Sequence, residues 1–168
     1  MQKSAGRHLR HALANDVIAR GFRSADTPAD LEPSGLLRED GKRLDGATRI
    51  PWSHGKCLVW DFTCPDTQAP SHILHSSMAA GSAAGEAESR KSVKYAALTP
   101  TFDFAPVAFE TLGVWGPGAI ALAKDLGSRI ASTSGDPRST FFFRQRLDIA
   151  VQRGNAVAVR ETDRKSVV

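Results

Sequence analysis

Two aspartates interrupt what otherwise reads as strand-forming core. The first lies in Arg43-Leu44-Asp45-Gly46-Ala47-Thr48-Arg49-Ile50. The second lies in Lys56-Cys57-Leu58-Val59-Trp60-Asp61-Phe62-Thr63-Cys64. A carboxylate set among Cys, Leu, Val and Trp loses its hydration, and it is tolerated only where a cation or hydrogen-bond donors meet it. His54-Gly55 reads as the turn between the two stretches, which makes them neighbouring strands with both carboxylates in one region of a sheet. Oxygen ligands so placed point to a hard divalent cation, Mg²⁺ or Mn²⁺. Alternation puts Cys57, Val59, Asp61 and Thr63 on one face of the second stretch and Leu58, Trp60, Phe62 and Cys64 on the other. Both faces are largely apolar, so this strand is expected at the centre of a covered sheet.

Around this pair the pattern predicts an α/β protein, with a mixed central sheet of about four strands flanked by helices. Leu9, Leu13, Val17 and Phe22, widened by Ala12 and Ile18, predict a first helix over 8–22 that stops at Gly21. Ala29–Leu31 with Leu36-Leu37 reads as a short strand and turn, and residues 38–42 as a polar turn. Residues 65–78 read as a loop, and 79–98 as a second helix in which Glu86–Arg90 and Glu88–Lys91 are supporting pairs. A strand over 101–112, a glycine-rich turn from Gly113 to Gly118 and a helix over about 118–132 follow. Asp136-Pro137 then opens a last helix whose buried side is Phe143, Leu147, Ala150 and Val151. This gives one domain over residues 1–155 and a charged, frayed C-terminal tail over 156–168.

At 168 residues the chain is long enough for one core, and no apolar run approaches the roughly 18 residues of a membrane span. No apolar signal core follows Met1, and two cysteines make no disulfide framework, so an intracellular setting is expected. A net charge of +4 favours an anionic partner. The basic residues gather at both ends: Lys3, Arg7, Arg10, Arg20 and Arg23 against Asp16, and Arg144 to Lys165 against three acids. Such ends can flank a phosphate backbone, although solvated helix faces account for them equally simply.

A lysine near the two aspartates would neutralise charge on a reacting phosphate. Lys91 and Lys94, three apart on the second helix, are the candidates, with Tyr95 beside them as a hydrogen-bond donor. The bland alternative makes Asp45 part of an Asp-Gly turn and Lys91 a surface partner of Glu88. Two other signals are weaker. His72 and His75 with Cys57 and Cys64 have zinc-ligand chemistry, but the cysteines fall on opposite strand faces. Gly113–Gly118 lacks the Gly-Lys-Ser/Thr ending of a phosphate loop.

The order helix, strand, strand with Asp45, strand with Asp61, helix, strand resembles the PD-(D/E)xK, or restriction-endonuclease-like, fold. Arg43-Leu44-Asp45-Gly46, Val59-Trp60-Asp61-Phe62-Thr63 and Arg90-Lys91-Ser92-Val93-Lys94-Tyr95 more closely resemble the endonuclease domain at the C-terminal end of non-LTR retrotransposon polyproteins. The likeness covers about residues 8–155. It implies Mg²⁺- or Mn²⁺-dependent hydrolysis of DNA phosphodiester bonds in the nucleus, and a reverse transcriptase domain in the same polyprotein. It also implies that Asp45 and Asp61 are metal ligands, that Lys91 or Lys94 is the catalytic lysine, and that Lys42, Arg43, Arg90 and Tyr95 contact the nucleic acid. Two positions depart from the pattern. Leu44 replaces the proline of the motif, and Thr63 stands where its lysine is usual. Asp16 is a further candidate acid, from the first helix. A retained fold without catalysis, or a pure interaction module, are the rival expectations.

Overall fold

The computed structural model describes residues 5–34 and 43–166, with side chains through Arg160. In chain order the elements are α1 (Ala5–Ser24), β1 (Ala29–Leu31), β2 (Gly46–Thr48), β3 (Leu58–Thr63), α2 (Ile73–Met78), α3 (Ser82–Lys94), β4 (Asp103–Ala108), α4 (Pro117–Ser134) and α5 (Ser139–Ser166). The four strands form one mixed sheet in the order β1-β2-β3-β4. The β1–β2 and β2–β3 pairs are antiparallel and β3–β4 is parallel. The expected mixed α/β architecture is therefore present.

The three layers follow from the alternation of β3. Leu58, Trp60 and Phe62 face a large core built with α1, α4 and α5, including Ile18, Phe22, Leu126, Phe143 and Leu147. Val59 faces the other way, into a small cluster with Leu44, Ala47 and Tyr95. Ala84 and Ala87 bring α3 against Ala108 on that same side. The parallel β3–β4 pair needs a crossover connection, and α2 and α3 supply it. Asp61 pairs in register with Pro106, which is tolerated because β4 is an edge strand. His54 and Gly55 both have positive φ, +48° and +75°, as a tight turn between strands requires.

Several element boundaries differ from the sequence expectation. Helix α1 runs past Gly21 to Ser24, because Gly21 is where the ring of Phe143 packs: a Cβ there would lie 2.6 Å from Phe143 Cε2. Part of the expected 65–78 loop is the short helix α2, and the expected 79–98 helix ends at Lys94, followed by a 3₁₀ turn over Ala96–Leu98. Helix α5 continues through Ser166 where a frayed tail was expected. Its outer half docks on α1 through small residues: a Cβ on Gly6 would lie 2.5 Å from the Ala158 backbone nitrogen. Leu36, Leu37 and the polar turn over 38–42 lie outside the described residues. No helix among the described residues is long and apolar enough to cross a membrane.

Candidate active site

Asp61 sits on the α3 face of β3 and is 5% exposed. The last turn of α3 carries Lys91 over it, and Lys91 Nζ forms an ion pair with Asp61 Oδ2. Burial pushes the Asp61 carboxyl above its ordinary range; the Lys91 ammonium opposes this and the Asp45 charge adds to it. Lys91 is thus a partner of Asp61 and not of Glu88.

Asp45 immediately precedes β2 and is held from every side. Its N–H donates to the Trp60 carbonyl at 3.1 Å, and its carbonyl accepts from Glu32 N–H at 2.9 Å. Asp45 Oδ2 accepts from the Phe62 N–H at 2.5 Å, so the carboxylate takes over the ladder where regular β2 pairing ends. Asp45 Oδ1 lies 3.0 Å from His11 Nε2 on α1. Asp45 belongs to a strand end packed between two neighbours, which sets aside the reading of a simple Asp-Gly turn.

Asp45, Asp61, Lys91 and Lys94 line one cleft of about 750 Å³, together with Arg7, His8, His11, Arg43 and Tyr95. Lys94 Nζ lies 5.2 Å from the centre of the Tyr95 ring. Tyr95 is buried and packs against Phe104 at 4.8 Å. Arg43 is exposed on the cleft wall. Arg90 pairs with Glu86 on the outer face of α3, away from the cleft lining, because it is one residue out of register with Lys91. Lys42 lies outside the described residues. Leu44 is fully buried in the small cluster, so the residue in the motif's proline position packs and offers no ligand. Thr63 lines the cleft without an amino group, and Lys91 supplies one from α3 instead.

Sequence reasoning missed the contribution of α1. Asp16, the acid considered there, pairs with Arg20 at 2.8 Å and does not line the cleft. The helix supplies Arg7, His8 and His11 instead. The signal was present: Arg7, His11 and Asn15 recur every four residues and form one polar stripe on a helix face.

The glycine-rich turn before α4 is not a phosphate loop. The Glu88 carboxylate already fills it: Oε1 accepts from Ala108 and Ala119 N–H, both at 3.0 Å, and Oε2 from Gly118 N–H at 2.7 Å. A Cβ on Gly116 would lie 2.4 Å from Glu88 Oε1, so the glycine is what lets the carboxylate in. Glu110 repeats the device at the start of α3, where Oε1 accepts from Ala83 and Ala84 N–H at 3.1 and 3.3 Å. These caps meet the orphan donors of two helix N-termini.

The zinc-type residues do not converge. Cys57 and Cys64 are free thiols, and His72 Nδ1 lies 3.8 Å from Glu86 Oε2. Among the described residues, no group of three or more His, Cys, Asp and Glu side chains is arranged to hold a metal ion. Four carboxylates line the cleft, Glu32, Asp45, Asp61 and Asp66, and the strand pair Asp45 and Asp61 is the set that the sequence singled out. That set fits Mg²⁺, which keeps several waters and needs only one or two protein carboxylates beside substrate phosphates. Comparison with protein-family models and with curated proteins gives no match.

Proposed function

We propose that this chain is a Mg²⁺- or Mn²⁺-dependent DNA endonuclease domain of restriction-endonuclease-like type and retroelement origin, hydrolysing phosphodiester bonds. The observation that carries the reading is the meeting of Asp45, Asp61 and Lys91, from three separate elements, in a cleft also lined by Arg7, Arg43 and Lys94. Asp45 and Asp61 would hold the cation, which polarises a phosphoryl oxygen and lowers the pKa of water. Lys91 is then no longer the sole counter-charge of Asp61, and its ammonium is available to charge developing on the phosphate. Arg7, Arg43 and Lys94 suit the flanking phosphates, giving binding that weakens with salt. In the retroelement setting a reverse transcriptase in the same polyprotein would be the partner, and the nucleus the place of action.

The test is nicking of supercoiled plasmid in Mg²⁺ or Mn²⁺. The expected result is nicking that disappears in Asp45→Asn and Asp61→Asn and falls about 10²–10³-fold in Lys91→Ala, the usual cost of removing one such charged donor. Undiminished cleavage by both aspartate variants would sink the proposal.

One observation favours a second reading. Each aspartate already has a basic neighbour, His11 for Asp45 and Lys91 for Asp61, so neither carboxylate needs a cation to have a partner. A repurposed fold that only binds nucleic acid predicts salt-sensitive DNA binding with no metal-dependent turnover. A measured Mg²⁺-dependent nicking rate excludes it.

A further inference from the structure

A chain of hydrogen bonds runs from the core to the cleft. Trp60 Nε1 donates to Asn15 Oδ1 at 2.9 Å. An indole N–H can only donate, so this contact fixes which end of the Asn15 amide is oxygen. The other end, Nδ2, lies 3.3 Å from His11 Nδ1. An amide nitrogen can only donate, so His11 Nδ1 is the acceptor and the ring proton sits on Nε2. Nε2 is the atom 3.0 Å from Asp45 Oδ1.

We infer that His11 is a positioning residue for the cation site: Asn15, anchored by Trp60, holds it as the Nε2–H tautomer, and it turns the Asp45 carboxylate toward the cleft. This rests on the nuclease reading above for the identity of the cation. The carboxylate has about four acceptor positions. His11 takes one on Oδ1 and Phe62 N–H takes one on Oδ2, which fixes the plane of the group and leaves one acceptor position on each oxygen. Lys91 and His11 therefore act differently. The ammonium competes with a cation for Asp61, whereas the imidazole N–H orients Asp45 without bringing a formal charge. Partners of this kind behind a ligand typically change metal affinity by about 10–100-fold.

Two measurements on the full chain test this. The first is the long-range ¹H–¹⁵N spectrum of the histidine rings, which reports tautomer without any reaction. His11 is expected to show the Nε2–H pattern and to lose it in Asn15→Asp, which keeps an acceptor for Trp60 and has no donor for Nδ1. An Nδ1–H pattern in the unaltered chain overturns the proposal. The second is Mn²⁺ binding followed by electron paramagnetic resonance. Affinity is expected to fall about tenfold or more in His11→Phe and to recover largely in His11→Gln, which restores a neutral donor. Equal affinity in all three chains overturns it. An unaltered chain with the Nε2–H pattern that binds no Mn²⁺ overturns the cation role and the nuclease reading together, whereas Mn²⁺ binding without nicking overturns the nuclease reading alone.

Discussion

Glu88 of α3 caps α4: its Oε2 accepts from the Gly118 N–H at 2.7 Å, in the first turn of a helix thirty residues further along the chain. Three backbone donors end on this one carboxylate, two from α4 and one from the end of β4. Truncation to Glu88→Ala leaves them without their partner in a buried setting. The expected loss is about 2–4 kcal/mol of stability by urea unfolding. Unchanged stability would show that water replaces the carboxylate without cost.

Asp61 is expected to limit stability, because it is a carboxylate buried in a strand. Its carboxyl is pushed above the ordinary value of 3.8, chiefly by burial. A group raised in this way takes up a proton on folding. Its favourable contribution is present below the unfolded value and is lost as pH rises through the folded value. At neutral pH the ionised form is the costly one, so Asp61→Asn is expected to raise the urea midpoint there. The advantage should vanish as pH falls below about 3.8. Lys91 is partly exposed and can turn to water when its partner is neutral.

Gly46 is required by Trp60. A Cβ at Gly46 would lie 2.0 Å from Trp60 Cζ2, well inside contact distance. Gly46→Ala is expected to cost about 1–3 kcal/mol, the usual range for an overpacked core. It should also shift tryptophan fluorescence, and it should disturb the Asn15 contact because the same ring carries both. A chain with native fluorescence and native stability would contradict this.

Cys64 should behave as an inert thiol. Burial pushes it from an ordinary 9.0 up to about 11. Roughly one thiolate in a thousand is then present at pH 8, and the thiolate is the reactive form. Its alkylation rate, followed by mass spectrometry, is expected to keep rising to about pH 11 instead of levelling near 9.0. The raised value also means that this residue's contribution to stability is lost as pH rises through about 11.

The fold was legible where one residue type repeats on one period. Leu58, Trp60 and Phe62 against Val59 and Asp61 foretold the two covered faces of β3, and Phe143, Leu147, Ala150 and Val151 foretold the buried side of α5. The site was legible only in part. Asp45 and Asp61 stand out because carboxylates are costly in core-like strands. His11 stands out in no such way, because its partner lies far along the chain and a histidine on a polar helix stripe is ordinary. Lys91 and Lys94 looked equivalent in sequence; the turn of α3 over β3 brings the first to Asp61 and the second over Tyr95. The glycines at 116 and 118 read as turn residues, while the space at Gly116 belongs to Glu88, a residue of another helix, and that at Gly118 to the Pro106 carbonyl. Residues beyond Asn155 read as tail because their charge hides the small residues, such as Ala158, that seat α5 on α1.

The seating of α5 on α1 sets an order of assembly. Arg10 donates to Asn155 Oδ1 at 2.7 Å, and Gly154 leaves the space its side chain fills. On a ribosome, α1 emerges early but waits for its main companion until α5 has been made. The support that α5 gives to the first turns of α1, which carry Arg7 and His8 on the cleft wall, therefore comes only when α5 has been made. Asp61 and Lys91 belong to a single strand–helix crossover and can meet well before that. His11 is tied to β3 and to Asp45 by contacts of its own, so the closing of α5 on α1 completes the arginine end of the wall and leaves the histidine contacts to the sheet.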